Sequence, residues 1–484
     1  MKKKFGAIVL AGMMACVSLG GMVGCGGDKG KVKDFVMPDD GFDMEKTVEI
    51  KFYHTMGQSK QAILKRHIAE FNKLYPNIKI NIDRSFGKYE DVRDAIITEI
   101  NANEQPNLAY CYPDHVAMYN EAKVVLPLND FLPDGDFKDV TVTPVGKEAE
   151  PIGYSKAQKE DFFEAYYNEG FKYGNGKTMY TLPLAKSTEV IYYNKTFFDE
   201  NNLTVPTTWD EMEILCKKIK EGDDTTAALG ASGTTPLGYD SEGNWFITMC
   251  EQYGSKYTSA TGKKYLFNNE TNKKFVSRFK GWYDKGYLVT QATNGNAYTS
   301  SLFTDQKIYM CIGSSAGASY QMPDRVTVNG QSVRKFEVGI APIPQVNPDN
   351  PKAISQGPSI CIFKDSDPQK VLASWLFAKF MTTNLDFQAE FSFDSGYAPV
   401  IKTVTENKIY KDGIDAADGY DNLVQLSIKT CMDNAESYFT SPAFVGSSRA
   451  RDEVGNLMAV VFSGTKTIDQ AFKSAVSTCE HFAG

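Results

Sequence analysis

Residues 48–82 read VEIKFYHTMGQSKQAILKRHIAEFNKLYPNIKINI, and three structural patterns follow one another in this stretch. Val48–Tyr53 alternates apolar and polar residues, as a strand with one buried face does. After Ser59, which can cap a helix, apolar residues recur at helical spacing until Pro76 ends the pattern. Ile78–Ile82 then alternates again. This succession predicts an α/β fold with largely parallel sheets.

The alternation of strand and helix patterns continues along the chain and supports that prediction. A capping box from Thr208 to Glu211 opens one helix, and Asp367-Pro368 opens another. The other predicted elements are a helix through Val92, Ile96 and Ile100, buried strands at Lys307–Ile312 and Ser359–Phe363, and C-terminal helices at Ser448–Phe462 and Thr467–His481.

The composition and charge of the chain exclude several classes of function. Its 484 residues predict two or three domains, and 52 Lys and Arg against 60 Asp and Glu give a net charge of −8. An acidic chain without a basic stripe argues against a nucleic-acid partner, although a local site can still bind a small anion. The four histidines are not spaced as metal ligands, so we expect no metal site.

The first 45 residues have the composition of a targeting and anchoring segment. Lys2–Lys4 precede the apolar, Gly-rich stretch Phe5–Met22, and Met22-Val23-Gly24-Cys25 has the pattern of a lipobox. Residues 1–24 are therefore predicted to be a lipoprotein signal peptide, Cys25 the lipidation site, and residues 25–45 a flexible tether. A transmembrane anchor is the weaker alternative, because the apolar stretch contains four glycines. The expected location is the outer face of the cytoplasmic membrane, extracellular or periplasmic, with membrane contact only through the lipid.

The remaining cysteines do not have the pattern of a disulfide framework. Their number is odd, no C-x-x-C occurs, and most lie in apolar runs, which predicts small buried apolar side chains. They are Cys111, Cys216, Cys250, Cys311, Cys361, Cys431 and Cys479.

Arg451 stands at the head of an apolar helical stripe, because Val454, Met458 and Val461 lie on its face at helical spacing. A guanidinium in that position needs a partner or must reach solvent. No acid lies one turn away on the same helix, which favours an external anionic ligand. A salt bridge to a carboxylate elsewhere in the chain remains open as the alternative.

Gly313-Ser314-Ser315-Ala316-Gly317 follows a predicted strand and fits the G-x-S-x-G pattern of a hydrolase nucleophile elbow. Pro323 cuts short the following helix, and His481 is the only downstream histidine, so a serine hydrolase is a remote alternative. Two serines at a helix start can instead bind an anion or a sugar oxygen, or can merely cap a short helix.

Two aromatic residues are candidates for contact with a sugar. Tyr397 lies in the tight loop Gly396–Val400, and Trp245 precedes an apolar run. Their rings offer flat faces to sugar C–H groups and a hydrogen-bond donor at one edge. Packing within the core is the alternative for each.

The order and spacing of several segments resemble the extracellular solute-binding proteins of carbohydrate ABC importers, from about Val48 to the C-terminus. Within that family the segments look most like those of the glycerol-3-phosphate-binding members. The resemblance implies an α/β, two-lobed, type II periplasmic-binding-protein-like fold with a hinge between the lobes. The segments are Phe71–Pro76, Leu126–Leu128, Leu182-Pro183, Ser187–Lys195, Thr207–Glu211, Ser314-Ser315, Gly396–Val400 and Gly464–Thr467.

The resemblance also implies a set of ligand-binding residues. The family positions that hold polyol hydroxyls match Tyr89 and Asp114. Asp114 stands where the family has a glutamate, and Gly357 is followed by a proline where small residues are usual. These departures also fit a different polyol, a glycerophosphodiester or a neutral sugar. The positions that hold the phosphate match Ser187, Ser315 or Ser314, Gly357, Tyr397 and Arg451, and the matching tryptophan is Trp245.

The function that the resemblance implies is capture of a polyol phosphate such as glycerol-3-phosphate, or of a related carbohydrate, by lobe closure. Residues 46–185 with 345–385 would form lobe 1, and residues 186–344 with 386–484 would form lobe 2. We expect a monomer that delivers its ligand to ABC permease subunits, performs no catalysis and needs no cofactor. A binder of neutral oligosaccharides, an extracellular serine hydrolase and a lipoprotein adhesin remain as alternatives.

Overall fold

A computed structural model describes residues 34–482 of the chain. The predicted signal peptide 1–24, the lipidation site Cys25 and the first part of the predicted tether lie outside the described residues. Within residues 34–482, no helix is both long enough and apolar enough to span a membrane.

The strands of the described residues are short, each of two to seven residues. In chain order they are β1 (Val48–Tyr53), β2 (Ile78–Asn81), β3 (Leu108–Cys111), β4 (Thr141–Val142), β5 (Glu150–Pro151), β6 (Leu182–Pro183), β7 (Glu189–Asn194), β8 (Thr235–Tyr239), β9 (Leu288–Thr290), β10 (Ile308–Ser314), β11 (Arg325–Val328), β12 (Gln331–Arg334), β13 (Val338–Pro342), β14 (Ala353–Ile354), β15 (Ser359–Ile362) and β16 (Tyr438–Phe439).

Helices alternate with the strands, and helices predominate in the C-terminal part of the chain. In chain order they are α1 (Gln58–Leu74), α2 (Tyr89–Ile100), α3 (Pro113–Tyr119), α4 (Lys156–Asp161), α5 (Glu164–Glu169), α6 (Lys195–Glu200), α7 (Trp209–Lys220), α8 (Glu242–Gln252), α9 (Glu270–Asp284), α10 (Ser300–Thr304), α11 (Pro368–Thr383), α12 (Leu385–Ser395), α13 (Lys408–Asp415), α14 (Leu423–Asp433), α15 (Ser447–Phe462) and α16 (Ile468–Phe482).

Two five-stranded sheets form the centres of two α/β lobes, with the orders β2-β1-β3-β15-β6 and β13-β7-β10-β8-β9. Strands β15 and β7 each follow directly from a segment that crosses between the lobes, and each pairs antiparallel with both neighbours. The prediction of largely parallel sheets is therefore wrong, because a strand that arrives from the other lobe enters the sheet in the opposite direction. Parallel pairing holds for β1 with β2 and β3, and for β8 with β9 and β10.

Three crossing segments lie side by side between the lobes. Lys186 and Ala398 exchange backbone hydrogen bonds of 2.9 and 2.6 Å, and Ser187 and Gln356 exchange bonds of 3.0 and 2.8 Å. The segment around Lys186 is thus paired on both sides, once with each of the other two crossings. This arrangement confirms the two-lobed type II fold with a hinge.

Local sequence signals predict the helix starts within one or two residues. Helix α7 begins at the predicted capping box, where Thr208 Oγ1 accepts from the Glu211 N–H at 3.2 Å and the Glu211 carboxylate accepts from the Thr208 N–H at 3.1 Å. Asp367 likewise accepts from the Gln369 N–H at 3.0 Å at the start of α11. Helix α1 begins after Gly57 instead of at a Ser59 cap.

Residues 34–46 pack along the first lobe, although the sequence predicted a flexible tether through residue 45. Phe42 is buried, and the ring of Phe35 lies 5.9 Å from that of Phe131. The Lys364 ammonium donates to Asp34 at 2.7 Å. The Gly, Lys and Asp content suggested a tether, but burial of Phe42 and the contact of Phe35 with Phe131 outweigh the chain entropy of so short a segment.

Helices assemble around each sheet, and one of them crosses the predicted lobe boundary. In the second lobe α15 packs on α8 and α16, and in the first lobe α11 packs on β1. Helix α12, which the proposed bounds assign to lobe 2, packs mainly along α1 of lobe 1. The exact lobe bounds remain a prediction.

The seven cysteines of the described residues are all buried and unpaired. They pack as small apolar side chains, as the sequence predicted.

Candidate functional site

Two cavities lie between the lobes, where strands of both sheets end and loops begin. Loops at the carboxyl ends of strands are the usual ligand site of α/β proteins. The tyrosine cavity measures about 300 Å³, and the residues that define it are Tyr89, Tyr110, Tyr320 and Tyr397. The arginine cavity measures about 280 Å³, and the residues that define it are Glu90, Asp114, Asn244, Gly357, Arg451 and Asp452.

Arg451 reaches the arginine cavity from the N-terminal part of α15. Its guanidinium donates a hydrogen bond to the side-chain oxygen of Asn244 on α8. The two helices approach closely here, because a Cβ added at Gly243 would lie 2.9 Å from the Arg451 carbonyl oxygen. Among residues 34–482 this guanidinium forms no ion pair with a carboxylate. The salt bridge that the sequence left open is therefore not formed within the described chain.

Carboxylates from both lobes line the arginine cavity beside Arg451. Glu90 and Asp114 belong to the first lobe, and Asp452 follows Arg451 on the second. Burial raises the pKa of Asp452; Arg449 and Arg451 lower this pKa, whereas Asp114 and Glu90 raise it. The acids of the two lobes thus share one cavity. In the part of the chain that the structure describes, no group of three or more His, Cys, Asp or Glu is arranged to hold a metal ion.

Two deeply buried polar atoms of the arginine cavity have no hydrogen-bond partner among the described residues. They are His115 Nδ1 and Ser355 Oγ, on side chains that are 2% and 7% exposed. Buried polar atoms are nearly always paired, so a ligand group or an ordered water is the expected partner of each. Burial lowers the pKa of His115 and so favours its neutral imidazole. Sequence reasoning missed both residues, because only their burial in the folded chain distinguishes them.

A buried ion pair lies beneath the arginine cavity. The Lys186 ammonium lies 2.5 Å from Glu169 Oε1 and 2.9 Å from Ser359 Oγ. Thr440 donates to the second oxygen of Glu169 at 3.2 Å, and Glu169 lines the cavity. The pair therefore joins the cavity wall to the central crossing segment. The sequence contained no signal for it, because Glu169 and Lys186 are 17 positions apart.

Glu189 stands behind Arg451 at the start of β7 and is 1% exposed. The Tyr239 hydroxyl donates to its carboxyl group at 2.7 Å. Burial raises the pKa of Glu189 to about 8, even though the hydrogen bond from Tyr239 and the charge of Arg451 lower it. The group is therefore mostly protonated at neutral pH and does not neutralise Arg451.

In the tyrosine cavity, aromatic rings from separate segments meet. The ring of Tyr89 lies 4.4 Å from that of Tyr112 and 6.3 Å from that of Tyr110. Burial raises the pKa of Tyr89 and of Tyr397. A hydrogen bond between their hydroxyls raises the pKa of Tyr89 further and lowers that of Tyr397. Tyr320, 75% exposed, faces them from the second lobe. Rings with hydroxyl edges suit a polyhydroxylated ligand.

The chain matches the family described as "Bacterial extracellular solute-binding protein" over residues 67–417. This match spans well over half of its length. The chain belongs to that family. A multiple sugar-binding protein of Streptococcus mutans is 25% identical to this solute-binding protein over 362 residues, which cover 74% of this chain and 76% of the relative.

Two further comparisons extend over more of the chain. The sn-glycerol-3-phosphate-binding periplasmic protein UgpB of Brucella melitensis is 23% identical over 452 residues, which cover 88% of this chain and 91% of the relative. The crystal structure of the cyclic alpha-maltosyl-1,6-maltose binding protein from Arthrobacter globiformis is similar with a TM-score of 0.66 at 16% identity, covering 90% of this chain and 100% of that one. The structural likeness shows a shared fold.

The three serines predicted as ligand groups of this solute-binding protein line neither cavity. Ser187 pairs through its backbone with Gln356, and Ser314 Oγ accepts from the Ala316 N–H at 3.3 Å. Ser315 is fully buried, and its Oγ accepts from the Thr188 N–H at 3.1 Å. A buried hydroxyl that already holds the backbone is not presented to a substrate, so the nucleophile elbow of a hydrolase is not supported.

Trp245 also lies away from both cavities. It is fully buried in the second lobe, with its ring 4.4 Å from that of Tyr239 and nearly parallel to it. Of the predicted ligand residues, the structure brings Asp114, Gly357 and Arg451 to one cavity. It brings Tyr89 and Tyr397 to the other.

Proposed function

We propose that this solute-binding protein is the substrate-binding component of an ABC importer and that it captures a carbohydrate between its lobes. The observation that carries the proposal is the pair of cavities that lie between two lobes, one rich in tyrosine and the other lined by charged and amide side chains. Ligand sites combine such apolar faces with a few oriented polar groups. The relatives named as binders of multiple sugars and of a maltosyl-maltose support a carbohydrate ligand.

The proposed mechanism is closure of the two lobes around the ligand. A ligand that contacts residues of both lobes favours the closed form, because only that form presents both sets of groups at once. The closed, loaded protein would then dock on permease subunits, with transport driven by a separate ATPase. The ligand undergoes no reaction in this scheme.

A polyol phosphate such as glycerol-3-phosphate is the second candidate ligand. Arg451 and Gly357 both line the arginine cavity, and a guanidinium binds phosphate with strong charge-assisted hydrogen bonds. The similarity to UgpB also supports this candidate. The carboxylates of Glu90, Asp114 and Asp452 on the same cavity oppose it, because they would repel a phosphate.

We also propose that the protein is anchored at the outer face of the cytoplasmic membrane through a lipid on Cys25. The lipobox pattern and the membership of an extracellular family support this location. Metabolic labelling with palmitate should mark the wild-type protein and not Cys25→Ser. Labelling of both would contradict the anchor.

Isothermal titration with maltotriose, glycerol-3-phosphate and glycerophosphocholine tests the ligand class, with chromatography of the recovered ligand to detect turnover. We expect at least one saccharide to bind and to be recovered chemically unchanged. If the tyrosine cavity makes its contacts, wild type and Arg451→Ala should bind it with equal affinity. Binding restricted to the phosphorylated compounds and lost in Arg451→Ala would establish the second candidate. Conversion of the ligand would contradict a binding protein.

A further inference from the structure

We infer that the arginine cavity binds a saccharide that carries a protonated amino group. The inference rests on the proposed function and narrows its ligand class. The observation behind it is the balance of charges around the cavity. In the sequence Arg451 indicated an anionic ligand, and only the folded chain brings several acids beside it.

Acids outnumber bases on the walls of the arginine cavity. Glu90, Asp114 and Asp452 contribute three carboxylates, and Arg451 contributes one guanidinium. A fourth carboxylate, that of Glu169, is already paired with the Lys186 ammonium at 2.5 Å. The cavity therefore keeps an excess of negative charge after Arg451 is counted. An added anion would increase this excess, whereas an ammonium group would reduce it.

Glu189, a buried carboxyl group whose pKa the charge of Arg451 lowers, does not change this balance. Burial raises the pKa of Glu189 to about 8, so this group is mostly neutral at pH 7. The charge of Arg451 is thus balanced by the acids that face the cavity. Arg449, whose charge also lowers the pKa of Asp452, is paired with Glu453 at 2.7 Å. The three acids on the cavity wall therefore still outnumber Arg451.

Two polar side chains of the cavity wall also lack a hydrogen-bond partner. His115 and Ser355 line the cavity and are 2% and 7% exposed, and His115 Nδ1 and Ser355 Oγ have no partner among the described residues. A neutral imidazole nitrogen can accept from an ammonium or a hydroxyl, and a serine hydroxyl can donate or accept. A polar ligand that donates hydrogen bonds satisfies both atoms, and a saccharide with an amino group is such a ligand.

The carboxylates of the cavity also lie on opposite lobes. The charge of the ligand therefore affects how readily the two lobes close. Asp114 and Glu90 belong to the first lobe and Asp452 to the second, and all three line the same cavity. Closure without a cation brings like charges together. An ammonium group between them removes that repulsion and so favours the closed form.

The test compares a chitosan trisaccharide with its N-acetylated counterpart, since the two differ in the charge of the amino groups. Isothermal titration at mildly acidic pH should give binding that is at least about tenfold tighter for the free amine, and weaker at high salt. Asp452→Asn should weaken binding of the amine about tenfold and leave the acetylated sugar unchanged. Asp114→Asn repeats the test from the other lobe.

Asp349→Asn is the matched control, because it makes the same change in net charge at an exposed loop position. It should bind like wild type. If neutral sugars or glycerol-3-phosphate bind as tightly as the free amine or more tightly, the inference is wrong, but the proposed function as a solute-binding protein stands. Failure of every saccharide and polyol to bind overturns the proposed function as well. Melting temperatures of the variants show whether each is folded.

Discussion

The ammonium group of Lys186 lies 2.5 Å from the carboxylate of Glu169, and both side chains are almost completely shielded from solvent. Lys186 belongs to the central crossing segment, whereas Glu169 ends α5 in the first lobe. Ser359, at the start of β15, donates to the same carboxylate at 2.7 Å. One carboxylate therefore ties two of the three crossings to the first lobe.

Glu169→Gln should destabilise the protein by about 3–5 kcal/mol, because it leaves the Lys186 ammonium buried without a counter-charge. Urea unfolding followed by circular dichroism measures this loss. Asp433→Asn is the control, since it breaks the exposed Lys429–Asp433 pair of 2.7 Å and should cost less than about 1 kcal/mol. Equal effects of the two substitutions would contradict a structural role for the buried pair.

Tyr397→Ala should weaken binding of the carbohydrate ligand at least about tenfold, because it removes an aromatic face from the tyrosine cavity. Tyr397→Phe keeps that face and should retain most of the affinity. Titration calorimetry compares both with Tyr298→Ala, which removes an exposed tyrosine outside the cavity and should bind like wild type. Unchanged affinity in Tyr397→Ala would exclude this residue from the site.

Trp245→Ala should lower the free energy of unfolding by about 3–5 kcal/mol, because the ring is fully buried against Tyr239. Trp245→Phe should cost less and leave ligand affinity unchanged. Unfolding curves and titration of the folded variants separate the two effects. If Trp245→Phe weakened binding at wild-type stability, the ring would act on the ligand, as the sequence resemblance implied.

The pKa of Glu189, raised to about 8 in the folded protein from an ordinary value of 4.5, predicts a pH-dependent stability. The folded state keeps a proton that the unfolded chain releases, so the stability present below about pH 4.5 is lost as the pH rises toward 8. The free energy of unfolding should fall by at most about 1.4 kcal/mol for each pH unit through this group.

Glu189→Gln cannot ionise and keeps an oxygen that can accept from the Tyr239 hydroxyl. Urea unfolding between pH 5 and 8 should therefore show a steeper loss of stability in wild type than in this variant. Parallel curves for the two proteins would mean that Glu189 is ionised in the folded state.

Part of the site was visible in the sequence, and the rest depended on packing. The position of Arg451 at the head of an apolar stripe predicted a guanidinium that needs an outside partner, and the structure places it on a cavity without an internal ion pair among the described residues. The same reasoning could not show that Ser315 holds the Thr188 backbone or that Trp245 lies in the core. Those outcomes depend on neighbours that are distant along the chain.

The sequence by itself determined the local elements, because a helix start such as Thr208 to Glu211 depends on contacts within about four residues. It also determined the family, through the order of its segments. Only the tertiary structure decided which polar groups share a cavity and which charged groups are buried away from solvent. Lys186 meets Ser359 from 173 positions away, and Asp452 and Asp114 line one cavity from opposite lobes. Burial and electrostatic interaction depend on distance in space, and a linear pattern does not contain that distance.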